Sequence, residues 1–275
     1  MGTLEGQTAV ISGSGRGIGR EIALRLAREG ARIVVNDLDP EPAKDTVAAI
    51  EAVGGAAVAC VGNVTDDGFG ERFVQTALDH FDGLDIIVNN AGYTWDSVIQ
   101  KLTDEQWDAV LDVHLKAPFR ILRAAQPVIS AAAKKEARTG TPRCRKVVNI
   151  SSIAGLGGNA GQANYAAAKA GVTGLTRTLA KEWGRYNVTV NTVAFGLIKT
   201  RLTEAPADQD ATIHVEGNDI KVGVNPDLLS AMERSIPLGR AGTPAEAAGA
   251  VYLLCTPDSD YVSGQTLVCG GGFSM

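Results

Sequence analysis

The chain has 275 residues, of which 45% are hydrophobic and 21% are charged, and its formal net charge is −5. These values predict a globular protein with a sizeable core, and they lack the basic footprint that is typical of nucleic-acid-binding proteins. No apolar run approaches the roughly 20 residues that a membrane-spanning helix needs, and the first residues do not have the pattern of a signal peptide. We therefore expect a cytoplasmic protein with neither a nucleic-acid nor a membrane partner.

The four cysteines and three histidines are scattered along the chain. The cysteines form no CxxC pair, and no group of histidines and cysteines has the spacing of metal ligands. This distribution favours reduced thiols, as in cytosolic proteins, and predicts no metal site.

Seven short runs, mostly apolar and β-branched, are predicted strands. They are Thr8–Ser12, Arg32–Asn36, Ala57–Val61, Leu84–Asn89, Lys146–Ile150, Thr189–Val193 and Thr266–Val268. Predicted helices alternate with these strands and include Glu21–Glu29, Pro42–Val53, Phe69–His80 and Ala163–Trp183. Continuously apolar strands are typical of sheets covered on both faces. The alternation predicts an α/β fold with a doubly wound parallel sheet of about seven strands and helices on both faces, as a single domain over residues 1–275.

Two further helix starts have the spacing of capping boxes, Thr103 with Gln106 and Thr243 with Glu246. The basic, turn-rich stretch 134–145 is interpreted as a solvent-exposed loop between a helix and the fifth strand. Residues 200–237 are longer than a usual connection and include a predicted short helix from Pro226 to about Ser235. We interpret this segment as a lid over the substrate, with a disordered surface loop as the alternative.

A glycine-rich turn follows the first predicted strand and opens the first helix. Glycines at this point allow the main chain to approach a pyrophosphate closely, and the amino terminus of the helix offers free N–H groups and partial positive charge. The turn residues predicted to bind a dinucleotide are Gly13, Arg16, Gly17, Ile18 and Gly19.

Asp37 ends the second predicted strand, eighteen residues after Gly19. A carboxylate there accepts hydrogen bonds from both hydroxyls of an adenosine ribose and repels a 2′-phosphate. Leu38 follows it, instead of an arginine that would neutralise such a phosphate. The pattern favours NAD(H), while NADP(H) is retained as the alternative cofactor because Arg16 lies nearby. The structural alternative is that Asp37 is only a turn residue.

Tyr165 and Lys169 are four residues apart in a predicted helix and therefore point the same way. A phenol ordinarily loses its proton near pH 10, and a nearby ammonium lowers that pKa towards neutrality. The pair therefore predicts a general acid/base, with Ser152 as a partner thirteen residues upstream. Tyrosine and lysine at this spacing also occur by chance on surface helices.

These motifs, in this order, resemble the compact type of short-chain dehydrogenase/reductase, close to the 3-oxoacyl-carrier-protein reductases. The matching pieces cover nearly the whole chain and are Ser12–Gly19, Asn89–Gly92, Asn149–Ser152, Tyr165–Lys169 and Gly196–Thr200. The resemblance implies a Rossmann-type NAD(P)-binding fold and a homotetramer paired through the helix that carries Tyr165 and its neighbouring helix. It also implies that Tyr165 exchanges a proton with the substrate oxygen, that Ser152 holds the substrate carbonyl, and that Lys169 binds the nicotinamide ribose.

Further cofactor contacts follow from the same resemblance. Asn63 and Val64 lie where the family contacts adenine, and Ile198 and Thr200 lie where it contacts the nicotinamide carboxamide. The remaining implied neighbours of the cofactor are Asn90, Ala91, Gly92, Tyr165 and Lys169.

Two positions depart from the family pattern. His114 stands where the family has a catalytic asparagine, and it is either a substitute in the proton route to Lys169 or a packed histidine without a role. Phe195 stands where the family has a proline, so we expect altered backbone and pocket geometry near Ile198.

The sequence therefore predicts an oxidoreductase that interconverts a secondary alcohol and a ketone with NAD(H), with a 3-oxoacyl or 3-hydroxyacyl thioester as one candidate substrate. Steroid-like, polyol and terpenoid alcohols are equally defensible. Two alternatives stay open: an NADPH-dependent 3-oxoacyl-carrier-protein reductase, and a non-catalytic NAD(H)-binding redox sensor. The departures at His114 and Phe195 are the only support for the sensor. The intact set of Ser152, Tyr165 and Lys169 argues against it, because a protein that only binds the cofactor needs no acidified phenol.

Overall fold

The computed structural model describes residues 2–200, 212–215, 218–221 and 226–273. Within these ranges the strands are β1 (Thr8–Ile11), β2 (Arg32–Val35), β3 (Ala56–Ala59), β4 (Ile86–Asn89), β5 (Arg145–Ser152), β6 (Val188–Phe195), β7 (Thr212–Val215), β8 (Asn218–Lys221) and β9 (Thr266–Cys269). The α-helices of the same residues are α1 (Gly17–Arg28), α2 (Pro40–Glu51), α3 (Phe69–Phe81), α4 (Asp104–Leu111), α5 (Ala117–Thr139), α6 (Ala154–Gly157), α7 (Ala163–Trp183), α8 (Pro226–Ser235) and α9 (Pro244–Leu253).

Seven of the described strands form one parallel sheet in the order β3-β2-β1-β4-β5-β6-β9. Strand β1 pairs with β2 on one side and with β4 on the other, so the strand order reverses beside it. In sheets of this kind the crevice at the carboxyl ends of the strands, next to such a reversal, is where ligands bind. The fold predicted from the alternation of strands and helices is confirmed.

Helices cover both faces of the sheet. One core contains Ile22 of α1 and Val251 of α9 packed with Ile11, whereas the other contains Phe73 of α3 packed with Val10. Neighbouring residues of β1 therefore point into opposite cores, as successive residues of a strand must. This two-sided burial explains why the strands are continuously apolar.

The predicted elements are confirmed with small shifts at their ends, and both predicted capping boxes are present. The loop predicted over 134–145 is wrong in its first half, because α5 continues to Thr139 and only residues 140–144 connect it to β5. Gly140 caps the carboxyl end of the long α5 and adopts a left-handed conformation (φ 71°) that favours glycine.

The described residues of the 200–237 segment form two strands and one helix. The predicted short helix is confirmed as α8, and the antiparallel β7–β8 hairpin was not predicted. The predicted lid also covers 201–211, 216–217 and 222–225, which lie outside the described residues. Among the residues that are described, no helix has the length and apolarity needed to cross a bilayer.

Candidate active site

In the glycine turn between β1 and α1, neighbouring main-chain segments pack too closely to leave room for side chains. Gly13 has a φ of 62°, and a Cβ there would lie 2.8 Å from the Cα of Ala91. Gly19 packs against the carbonyl of Gly13, so that any side chain would overlap it. Arg16 precedes α1 and makes no side-chain cap, which leaves the first N–H groups of the helix available to an anion. The turn therefore fits the pyrophosphate of a dinucleotide.

Two asparagines hold this turn in place. The side-chain oxygen of Asn36 accepts a hydrogen bond from the Gly13 N–H at 3.0 Å, and its amide donates to the carbonyls of Cys60 and Gly62. The amide of Asn90 donates to the carbonyls of Ser12 and Gly13, at 3.0 and 2.9 Å. The role of Asn36 escaped the sequence analysis, although a polar residue at the end of a buried apolar strand was a usable signal.

Asp37 lies almost completely buried at the end of β2. Gly15 packs against its carboxylate, where a side chain would overlap it. The guanidinium of Arg16 lies 3.7 Å from Asp37 and donates to Asp39 at 2.9 Å, so two carboxylates neutralise this arginine. The arrangement places a carboxylate beside the glycine turn, where the ribose was predicted to bind.

The residues predicted to contact adenine and the carboxamide are held by local contacts. The side-chain oxygen of Asn63 accepts from the Thr65 N–H at 3.0 Å, and Val64 is buried. Ile198 is also buried and forms an isolated parallel bridge with Gly242. The contacts of these residues and of Thr200 with a cofactor stay predictions.

Phe195 belongs to the core. Its side chain is 6% exposed and packs with the apolar cluster that includes Ile198. Its carbonyl accepts a hydrogen bond from the Ile153 N–H at 2.9 Å. An apolar ring at this position is more stable inside the core than in the crevice, and the altered geometry expected near Ile198 stays a prediction.

Ser152, Tyr165 and Lys169 converge between the end of β5 and the start of α7. The Ser152 hydroxyl lies close enough to the Tyr165 hydroxyl to oppose the rise of its pKa, and the Ser152 oxygen accepts from the Ala154 N–H at 3.2 Å. The neighbouring Ser151 turns the other way and donates to the main-chain carbonyl of Lys169 at 2.8 Å. This geometry selects Ser152 as the partner of Tyr165 and gives Ser151 a role in docking α7 on β5.

Burial controls the protonation of the pair. It raises the pKa of Tyr165 to about 12, an effect that the hydrogen bond with Ser152 opposes and the charge of Asp96 reinforces. It also lowers the pKa of Lys169 to about 7, and the Lys169 ammonium donates to the carbonyl of Ile150 at 2.7 Å. The expectation that Lys169 lowers the pKa of the phenol is not met in this geometry. Desolvation is the largest cause of the pKa shift in both groups.

His114 lies in a π-helical segment, Asp112–Lys116, between α4 and α5. Its Nε2 donates to the carbonyl of Tyr93 at 2.6 Å, whereas its buried Nδ1 has no partner among the described residues. The ring meets the Tyr165 ring edge-on, with centroids 5.0 Å apart. Burial and the nearby Lys169 charge lower the pKa of His114, so the imidazole is neutral and Nδ1 is an acceptor.

Gly92 explains how the imidazole fits there. The ring packs directly on the main chain of Gly92, and a Cβ at that position would overlap it. The predicted cofactor neighbour Gly92 is thus also the residue that makes room for His114.

Three residues around Tyr165 were missed by the sequence analysis. Asn164 is completely buried; its amide donates to the carbonyls of Trp95 and Gln106, and its oxygen accepts from the Tyr165 N–H at 2.8 Å. The carboxylate of Asp96 accepts from the amide of Gln162 at 2.7 Å. These contacts join distant parts of the chain, so no local pattern could reveal them.

Comparison with known proteins agrees with this geometry. A family model described as enoyl-(acyl carrier protein) reductase matches residues 13–274. A 3-oxoacyl-[acyl-carrier-protein] reductase of Synechocystis is 39% identical, with all of both chains covered. Enzymes of the same description from Vibrio cholerae and Thermotoga maritima are each 36% identical over 99% and 98% of both chains. The chain therefore belongs to the short-chain dehydrogenase/reductase family, and it is an oxidoreductase that interconverts ketones and secondary alcohols with a nicotinamide cofactor.

Proposed function

We propose that this protein reduces a 3-oxoacyl thioester, or oxidises the corresponding 3-hydroxyacyl thioester, with NAD(H). The observation that carries the proposal is the convergence of Ser152 and Tyr165 beside the buried amine of Lys169, whose Nζ lies 5.6 Å from the centroid of the Tyr165 ring. The thioester is suggested by the relatives that resemble the whole chain, since each is described as a 3-oxoacyl-[acyl-carrier-protein] reductase.

In this proposal the nicotinamide supplies the hydride during reduction and accepts it during oxidation. The Ser152 hydroxyl donates a hydrogen bond to the substrate carbonyl, and the Tyr165 hydroxyl gives its proton to the same oxygen as the alcohol forms. A pKa raised to about 12 keeps the Tyr165 proton in place until the substrate oxygen takes it. Lys169 holds the nicotinamide ribose.

His114 is proposed to extend the proton route. Its neutral ring meets the Tyr165 ring, and its Nδ1 lone pair is buried without a partner among the described residues. A buried acceptor is costly unless it is hydrogen-bonded, which supports a bound water at this atom. Such a water would link His114 to Lys169, the role that the family gives to an asparagine.

The preference for NAD(H) is supported by the surroundings of Arg16. Asp37 and Asp39 both lie within ion-pair distance of its guanidinium, at 3.7 and 2.9 Å. A 2′-phosphate would have to compete with these carboxylates for Arg16 and would meet the charge of Asp37. The NADPH-dependent reductase is the second candidate, because the relatives are each described as a 3-oxoacyl-[acyl-carrier-protein] reductase.

The test is Tyr165→Phe, assayed at 340 nm with NADH and NADPH against a 3-oxobutanoyl thioester and a panel of ketones. We expect wild-type turnover to be faster with NADH, and the variant to lose at least about a thousandfold in kcat while NADH still binds. Turnover of the variant near the wild-type rate would contradict the role of Tyr165. NADH binding without turnover of any substrate by the wild type would favour the redox sensor.

We also propose a homotetramer in the cytoplasm. The exposed face of α7 carries the small residues Ala167, Ala170 and Gly174, which allow another helix to approach closely. The described cysteines are all free thiols, in keeping with a reducing compartment.

A further inference from the structure

The segment Trp95–Ser97 runs beside the start of α7 and is hydrogen-bonded to it. The Ser97 N–H donates to the carbonyl of Gly161 at 2.8 Å, and the Trp95 carbonyl accepts from Asn164 at 3.1 Å. Between them, Asp96 accepts from Gln162 at 2.7 Å. Three consecutive residues are thus fixed against the turn that precedes Tyr165.

This arrangement brings the Asp96 carboxylate close to the reacting phenol. Side chains of a helix lean towards its amino terminus, so the Tyr165 ring covers the turn that contains Gln162. Asp96 is hydrogen-bonded to that turn, and its charge adds to the rise in the pKa of the phenol that burial chiefly causes.

The charge of Asp96 is not compensated. Its hydrogen-bond partner in the described chain is the neutral amide of Gln162, and burial raises the pKa of the Asp96 carboxyl above its usual value. The other titratable groups facing Tyr165 are Lys169, whose pKa is lowered to about 7, and His114, which is neutral. Of the titratable groups beside Tyr165, Asp96 is thus the one that contributes negative charge.

From this geometry we propose that Asp96 is a specificity-determining residue that selects substrates without a negative charge next to the reacting carbonyl. A thioester or ester of a 3-oxo acid is uncharged there, whereas the free acid carries a carboxylate that Asp96 would repel. The inference rests on the proposed function, since it concerns how the same site chooses among 3-oxo compounds.

The experiment compares the methyl ester and the free acid of 3-oxobutanoate in wild type and Asp96→Asn. The asparagine keeps the shape of the side chain and an oxygen that accepts from Gln162, but it removes the charge. We expect kcat/KM for the acid, relative to the ester, to rise about fivefold to tenfold, as for one unit charge several ångströms away in a partly solvated cleft. Asp96→Ser should give the same change, and Asp82→Asn, an equal loss of charge at the exposed end of α3, should give none.

The dissociation constants of both compounds are measured in parallel on the NADH-loaded proteins, so that the inference does not depend on turnover. The inference is supported if both Asp96 variants bind the acid more tightly than the wild type does, and by the same factor in each variant. An unchanged preference in both Asp96 variants, or an equal change in Asp82→Asn, overturns it. Absence of turnover in the wild type, with the binding preference intact, counts against the proposed function alone.

Discussion

Tyr165 and Lys169 are shifted in opposite directions by the same physical cause. Desolvation penalises a charged group of either sign, so it raises the pKa of the phenol to about 12 and lowers that of the amine to about 7. Both shifts favour the uncharged form. The resting site therefore holds a protonated phenol, which is the form that gives a proton to a ketone oxygen.

The buried amine makes the stability of the protein depend on pH. The pKa of Lys169 falls from its usual 10.5 to about 7 on folding, so between these values the unfolded chain binds a proton that the folded chain does not. The free energy of unfolding should therefore rise with pH across this window.

We expect the wild type to gain stability relative to Lys169→Met as the pH rises from 7 to 9. The gain is at most about 1.4 kcal/mol per pH unit, measured by urea unfolding without nucleotide. Tyr165, with a folded pKa of about 12, is present in both proteins and lowers stability only above pH 10. A difference that stays constant, or falls with pH, would show that Lys169 is charged in the folded protein.

The residues proposed to do the chemistry carry a signal in the sequence, whereas those that support them do not. Tyr165 and Lys169 form a pattern within one helical turn, and Ser152 ends a recognisable strand. The functions of Asn36 and Asp96 depend on partners 23 and 66 residues away, which only the fold brings together.

At the level of elements, the position of Tyr165 in the site depends on how the start of α7 is held. Asn164 connects it to two other segments, through the carbonyls of Trp95 and Gln106. Its oxygen also accepts from the N–H of Tyr165. One buried side chain therefore sets the position of the phenol relative to the crevice wall and to α4.

Asn164→Leu should lower kcat by about ten- to a hundredfold with little change in the dissociation constant for NADH. The substitution leaves two buried carbonyls and one N–H without partners, at a cost of about 2–4 kcal/mol of stability, and it frees Tyr165 to shift. Steady-state kinetics and nucleotide titration are the measurements.

Val74→Ala serves as the matched control for this loss of stability. Val74 is buried in α3, away from the crevice, and its truncation should cost about 1–3 kcal/mol while kcat is retained. If both variants lose kcat equally, Asn164 acts through general stability and does not position Tyr165.

The boundaries of β5 illustrate where sequence patterns fail. Arg145 and Lys146 are both buried in this strand, although charged residues ordinarily mark its exposed end. Glu136 pairs with Arg145, and Asp260 with Lys146 at 2.6 Å, so that the buried charges are compensated by residues of other elements. The ion pair of Glu136 with Arg145 also joins the end of α5 to β5, where a solvent-exposed loop was predicted.

For the whole molecule, the parallel sheet was predictable because its strands alternate with helices along the entire chain. The assembly is a further prediction at this scale. Ala167, Ala170 and Gly174 are exposed on α7, and their spacing of three and four residues places them on one face. Small side chains on an exposed helix let a second backbone come close, and the proposed tetramer uses this face.

Ala170→Arg should therefore disrupt the tetramer while each chain stays folded, because the long charged side chain is tolerated in water but not between closely packed helices. Sedimentation velocity should give a tetramer for the wild type and a smaller species for the variant. The same substitution at Ala52, exposed at the end of α2, should leave the tetramer intact. A tetrameric Ala170→Arg protein would place the contact elsewhere, and a monomeric wild type would contradict the assembly itself.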